Sequence, residues 1–269
     1  MSDFTAMFEN DGYTLIKLPG CSKSEKFASR MHHQALFRRF CYWMMKNGII
    51  DCHKNIIDLG AWIGDNSLIW AKNIASTPLA STPLASLVYA IDPSENNCNF
   101  MRALAEFNSI ENIVIIQKAI SDGENLVTTN DDIDHCSFVY DNVGETGVTK
   151  LTSTSLDKLY ETGVITNIGF IHLDVEGMEF QVLTGAEQII TKFRPVIAYE
   201  QHFELDDVMK IVNLLKAHGY INFIINEILP GCRPDCRNLL AFPNEVPVSV
   251  FEAMCASAKV NPSVILKII

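Results

Sequence analysis

Carboxylates follow short apolar runs at several points of this chain. Asp58, Asp92, Asp174 with Glu176, and Glu200 with His202 each stand where such a run ends. Carboxylates so placed can accept hydrogen bonds from hydroxyls, take up protons or hold cations. A purely structural protein has little reason to put so many there. The most telling run is residues 55–67, N-I-I-D-L-G-A-W-I-G-D-N-S, which reads as a strand, a tight turn bracketed by Gly60 and Gly64, and a helix start. Backbone amides and the positive helix end converge at such a turn and favour a negatively charged or carboxylate-bearing ligand. A dinucleotide loop needs G-x-G-x-x-G, whose second glycine admits the pyrophosphate. Trp62 stands at that position. The loop therefore favours a ligand without phosphate.

Ligands of open α/β sheets bind beyond the carboxyl ends of the strands. Asp92, followed by Pro93, suits both hydroxyls of a ribose; capping of the next helix is a compatible role. It lies farther beyond Gly60 than the ~20 residues usual for nucleotide folds, and a duplicated loop between them accounts for most of the excess. Phe170, His172 and Asp174 share one strand face because side chains alternate. Asp174 and Glu176 enter a turn in which Gly177 permits a special backbone angle. A carboxylate there can orient or deprotonate an attacking hydroxyl. His172 reads either as a general base or as a histidine satisfied within the sheet. Glu200 and His202 share a face and point to the same mouth. Asp174, Glu200 and His202 also make an oxygen/nitrogen donor set for a metal, although their spacing does not demand one, and no metal is expected.

The elements that must hold these groups alternate. Strands are predicted at residues 56–59, 87–91, 113–117, 168–173, 195–200, 221–225 and 238–242. Helices are predicted at 65–74, 94–108, 155–161, 179–192 and 205–218. This order implies an α/β fold with a doubly wound, mainly parallel sheet and an antiparallel edge pair from the last two strands. Ahead of it, residues 1–22 read as a lead with a strand at 13–18, and 24–47 as one helix whose aromatic and methionine stripe packs on the core. Residues 1–50 are expected to pack on a ligand-binding domain spanning 51–245, which 246–269 extend. Residues 76–80 and 81–85 both read S-T-P-L-A, a surface loop broken by proline. Residues 121–153 are polar and turn-rich, with β-like pieces at 126–128 and 137–140.

The bulk numbers fit one large globular domain: 269 residues, 48% hydrophobic and 20% charged. A net charge of −11 argues against a nucleic-acid backbone as main partner. Arg30, His32, His33, Arg38 and Arg39 cluster locally and read as the solvated face of the first helix. The eight cysteines show no regular framework; Cys232 and Cys236 form C-x3-C without a second close pair to complete a zinc site. Reduced thiols in a cytoplasmic protein are the expectation, since the opening residues include Asp3 and Glu9 and do not read as a secretory leader. No run approaches ~18 apolar residues, so no membrane insertion is expected. No sequence feature sets an oligomeric state.

The segments D-L-G-A-W-I-G-D-N-S, V-Y-A-I-D-P-S-E-N-N, I-V-I-I-Q-K-A-I-S-D, S-T-S-L-D-K-L, I-H-L-D-V-E-G-M-E-F-Q-V-L-T-G-A and R-P-V-I-A-Y-E occur in this order. Over residues 52–243 the chain thereby resembles the FkbM-type S-adenosylmethionine-dependent methyltransferases. The L-D-V-E-G-x-E segment is its most specific part. The resemblance implies a class I methyltransferase (Rossmann-like) fold, S-adenosylmethionine as cofactor, and O-methylation of a hydroxyl on a sugar, glycan or small natural-product-like acceptor. It implies that Asp58, Gly60, Ala61 and Gly64 line the methionine end of the cofactor, that Asp92 with Pro93 holds the ribose, and that Ala119 flanks the adenine. Asp174 would touch the cofactor and, with Glu176, Glu200 and His202, border methyl transfer. The family usually has G-A-N at Gly60-Ala61-Trp62 and Lys at His172. Trp62 thus also motivates an alternative, a catalytically idle cofactor-binding or scaffolding protein.

Overall fold

The computed structural model describes residues 2–75, 86–130, 148–229, 232–247 and 249–268. The tandem S-T-P-L-A loop, the β-like piece at 137–140 and Cys136 lie outside the described residues. In chain order the elements are β1 (Phe4–Phe8), β2 (Thr14–Leu18), α1 (Ser22–Ser29), α2 (Ala35–Lys46), β3 (Asn55–Leu59), α3 (Ser67–Ala75), β4 (Val88–Asp92), α4 (Glu95–Phe107), β5 (Ile113–Gln117), β6 (Leu126–Asn130) and β7 (Val148–Thr152). There follow α5 (Leu156–Glu161), β8 (Ile168–Leu173), α6 (Glu179–Thr184), α7 (Glu187–Phe193), β9 (Val196–His202), α8 (Val208–Ala217), β10 (Tyr220–Ile225), β11 (Cys236–Pro243), α9 (Ser249–Ser257) and β12 (Ile265–Ile268).

Eight strands form the main sheet in the order β12-β10-β11-β9-β8-β3-β4-β5. The five strands from β5 to β9 run parallel, as burial on both faces requires. β3, β4 and β8 are buried at every position. The expected antiparallel pair is β10 with β11; β11 inserts beside β9, and β12 adds a strand outside β10. One face of the sheet carries Phe8, Phe27, Phe37, Phe40, Met44, Trp70, Phe170, Phe242 and Phe251 in a single cluster. The other carries Ile57, Ile171, Leu173, Val182, Leu183, Ile190, Ile197 and Leu215. Each such fully buried side chain contributes roughly 1.5–3 kcal/mol.

Two predicted helices are broken. The helix expected over 24–47 stops at Ser29 and restarts at Ala35, with Gln34 left-handed at φ 49°. The break lets two arginines from different turns meet one carboxylate. Arg38 Nη2 lies 2.7 Å and Arg30 Nε 3.2 Å from Asp65 Oδ2, and Arg38 Nη1 lies 3.3 Å from Asp11 Oδ2. Arg38 is fully buried, which corrects its placement on a solvated face. The helix expected over 179–192 is interrupted at Gly185, where a Cβ would come within 2.4 Å of the Ser121 carbonyl. Within the lead, residues 4–8 form a further strand that pairs antiparallel with β2.

Candidate active site at the strand ends

Gly60 must be glycine for two reasons. Its φ is +71°, and a Cβ there would lie 1.8 Å from the Asp174 carbonyl oxygen. That contact joins the loop after β3 to the turn after β8, and the Asp174 amide donates to the Leu59 carbonyl at 3.0 Å. The loop's amides are used internally. Those of Gly60 and Ala61 donate to the Ile91 carbonyl, and that of Gly64 to the Ala61 carbonyl. The Trp62 amide donates to Asp92 Oδ2 at 2.8 Å, with Trp62 left-handed at φ 47°. The expected convergence of these four amides on a ligand is thereby corrected. Their internal use, beside Trp62 at the second glycine position, weighs against a phosphate cradled by these four amides.

Asp92 is the hub of this corner. Besides Trp62, it accepts from the Ser94 amide at 2.9 Å and from Asn97 Nδ2 at 3.3 Å, both on Oδ1. Burial outweighs these bonds and pushes its carboxyl up to about 6. The Trp62 indole faces the Arg30 guanidinium at 5.4 Å, bringing α1 over the loop. Burial acts to raise Asp65, but Arg30 and Arg38 outweigh it and hold that carboxyl below its ordinary range.

A cleft of about 470 Å³ opens above the strand ends. Gly60, Asp92, Pro93, Asp174, Glu176, Glu200 and His202 line it, joined by Arg30, Trp62 and Cys232. Four predicted site residues do not. Ala61 is buried against Ala90, Cys98 and Met101. A side chain at Gly64 would collide with Leu68 and Met101. Ala119 is buried and its carbonyl accepts from the Thr154 amide. Asp58 is buried beneath the loop, bonded through Oδ2 to the Ser67 hydroxyl and through Oδ1 to His172 Nδ1 at 2.7 Å. His172 is itself enclosed, stacked on Phe37 at 5.3 Å and edge-on to Trp70 at 5.4 Å. Of the two readings of His172, the histidine held within the sheet fits this position, with Nδ1 on Asp58 and Nε2 buried without a hydrogen-bond partner among the described residues.

Asp174, just past β8, and Glu200, in the adjacent β9, are neighbouring buried carboxyls. Burial first, then the Glu200 and Glu176 charges, raise Asp174 well above the carboxylate range; burial also raises Glu200. The pair holds a proton between two groups that cannot both ionise freely. Sequence reasoning missed Glu179. Its Oε1 accepts from the Val175 amide at 3.1 Å and the Gly177 amide at 3.4 Å, and its Oε2 from Gln201 Nε2 at 3.3 Å. It thus clamps the turn in which Glu176 (φ 53°) and Gly177 (φ 94°) are left-handed. Burial pushes its carboxyl up to about 8. A carboxylate three residues into a glycine turn at a helix start was the available signal.

Sequence reasoning also left Cys232 and Cys236 unassigned. Cys236 Sγ bonds Glu200 Oε1, and a hydrogen bond from Cys236 lowers the Cys232 thiol to about 7. The metal donor set weighed for Asp174, Glu200 and His202 does not converge; His202 Nδ1 faces Asp206 Oδ2 at 3.8 Å.

A doubly wound sheet with a glycine turn, a buried Asp after the second parallel strand and acidic groups after the fourth and fifth defines a methyltransferase-type α/β domain. Residues 58–221 match the methyltransferase FkbM domain, and the chain belongs to that family, with its class I fold. Among solved structures it is similar to methyltransferase FkbM from Methylobacillus flagellatus KT, with 16% identity and a TM-score of 0.48, over 80% of this chain and 54% of that one. The chain thus spans about half the length of that relative. It is also similar to a SAM dependent methyltransferase from Aquifex aeolicus (11% identity, TM-score 0.40, 74% and 87% covered). A third similarity is to M. jannaschii TYW2 in complex with AdoMet (14% identity, TM-score 0.39, 84% and 80% covered). No curated protein matches the chain. No helix among the described residues is long and apolar enough to cross a membrane.

Proposed function

We propose that this chain is an S-adenosylmethionine-dependent O-methyltransferase acting on a hydroxyl of a sugar, glycan or small natural-product-like acceptor. The observation that carries the reading is the pairing of Asp92 with the Asp174–Glu200 carboxyls across one cleft. The cleft volume falls in the usual range for small-ligand sites, ~300–1,000 Å³. Its lining suits the cofactor: a buried carboxylate for the ribose at Asp92, and several acidic groups facing a sulfonium cation. When bound, S-adenosylmethionine supplies a methyl group activated by its positive sulfur. Pro93 and Gly60 shape the wall around it.

Asp174 and Glu200 orient the acceptor hydroxyl, and the ionised member of the pair receives its proton. Their raised pKa values make them stronger bases than ordinary carboxylates, an effect worth ~10²–10⁴-fold in rate. Glu176 and His202 border the acceptor side. The acidic lining and the net charge of −11 weigh against an anionic nucleic acid as acceptor. Residues 51–245 serve as the donor-binding domain, with 1–50 packed on it and 246–269 extending it. Trp62 motivates the idle-protein reading; its amide bond to Asp92 supports a part for it beside the donor instead.

The test is incubation with donor carrying a labelled methyl group and fractionated extract, with the labelled product identified by mass spectrometry. A methyl ether on a small hydroxylated acceptor is expected. Donor binding with no methylated product in any fraction would favour the idle protein.

A further inference from the structure

Cys232 Sγ, Cys236 Sγ and a Glu200 carboxylate oxygen lie within 4.8 Å of one another. They come from two segments. Glu200 is near the end of β9; Cys236 opens β11 opposite His202 in the antiparallel register. Cys232 precedes it across a turn closed by the Cys236 amide on the Arg233 carbonyl at 3.1 Å. Pro234 lies within that turn and fixes part of its backbone. Cys236 is buried, whereas Cys232 and Glu200 face the cleft.

We infer that Cys232, Cys236 and Glu200 form a binding site for a thiophilic divalent cation, zinc above all, with its open coordination position facing the cleft. Two thiolates and one carboxylate make a three-ligand set of the kind that leaves a fourth position for water or substrate. Thiolate donors select against magnesium and calcium, which take oxygen ligands. With Zn–S near 2.3 Å and Zn–O near 2.1 Å, tetrahedral ligand atoms stand roughly 3.5–3.8 Å apart. The three donors, all within 4.8 Å of one another, already stand close to that spacing.

In the metal-free arrangement the Cys236 thiol bonds Glu200 Oε1, with Cys232 Sγ beside them. Binding replaces the thiol protons. Zn²⁺ takes two thiolates and one carboxylate and releases two protons, leaving a site of net charge −1. Arg30, on the cleft wall, is placed to balance that charge. A water or an acceptor hydroxyl completes the coordination; the hydroxyl arm alone rests on the methyl-transfer reading. The site departs from the expectation of no metal, which rested on the spacing of Asp174, Glu200 and His202, and from the reading of C-x3-C as a pair without further ligands.

The test uses the reduced full-length chain without methyl donor. Zn²⁺ is titrated in competition with a chromophoric chelator, and Co²⁺ serves as optical probe. One equivalent of Zn²⁺ is expected, with Co²⁺ giving a thiolate charge-transfer band in the near ultraviolet. C232S and C236S should each weaken binding at least ~100-fold, and E200Q by less, since a single second-sphere loss already costs 10–100-fold. Should a serine variant fail to fold, the wild-type chain still decides. Zinc should protect Cys232 and Cys236 from alkylation, read by peptide mass spectrometry. No stoichiometric metal, unchanged affinity in both serine variants, unprotected thiols, or a Cys232–Cys236 disulfide as the only product would each overturn the site. None of these outcomes bears on donor binding, which is measured separately with S-adenosylmethionine and no metal.

Discussion

Two groups of buried charge lie on either side of the loop after β3, and they are built on opposite plans. Under the N-terminal helices, Asp11 and Asp65 meet the fully buried Arg38, and Arg30 adds a second cation. At the strand ends, Asp174, Glu200 and Glu179 are brought together, with burial and neighbouring carboxyls raising all three. Opposite charges in contact fix how two segments pack. Carboxyls pressed together have raised pKa values, which is a chemical property and costs stability. The first group ties segments together; the second is where the proposed proton transfer would take place.

The comparison is most severely tested at Arg38. Arg38→Met leaves Asp11 without its cation and strips one of two from buried Asp65, so unfolding free energy should fall by roughly 3–5 kcal/mol in denaturant titration. A loss under ~1 kcal/mol, as for an exposed pair, would deny the network a structural role. On the acidic side, Asp174→Asn should lower turnover about 100-fold or more while donor affinity changes little. Equal turnover would remove Asp174 from the chemistry. The acid limb of the wild-type pH–turnover profile should also lie above the ordinary carboxylate range, because Asp174 and Glu200 are both raised.

Glu179 sharpens the contrast with a smaller effect. Its folded pKa of about 8 exceeds the ordinary 4.5, so its stabilising contribution is complete below about 4.5 and is lost as pH rises to about 8. Glu179→Gln keeps acceptor and donor groups in the turn and should flatten the fall in stability across that window. A pH–stability curve identical to wild type would show that Glu179 does not carry this proton.

Local pattern carried much of the fold into the sequence. The apolar runs at 113–117 and 168–173 match β5 and β8 to the residue. Ser94 and Ser155 mark helix starts that their side chains do cap. The break between α1 and α2 was not legible, because apolar spacing continues across it and the groups that meet it, Asp65 on Arg30 and Arg38 and Glu227 on the Leu36 and Phe37 amides, are distant in sequence. Strand-end position pointed to Asp92, Asp174 and Glu200 as cleft residues, since a carboxylate ending a parallel strand has few other places to go. The same rule misplaced Asp58, whose side chain turns beneath the loop to Ser67 and His172. The meeting of Glu200 with Cys236 depends on β11 inserting antiparallel beside β9, a register no local spacing encodes.

The central claim is that this cleft binds the methyl donor with Asp92 as its ribose anchor. Calorimetric titration of S-adenosylmethionine into wild type and Asp92→Ala at pH 7.5, above the Asp92 pKa of about 6, tests it directly. One site per chain is expected in the wild type, weakened in the variant by about 1.5–3 kcal/mol, or roughly 10- to 150-fold, the worth of hydrogen bonds to a charged acceptor. Equal affinity in the two proteins, or no binding to the wild type, would contradict the account.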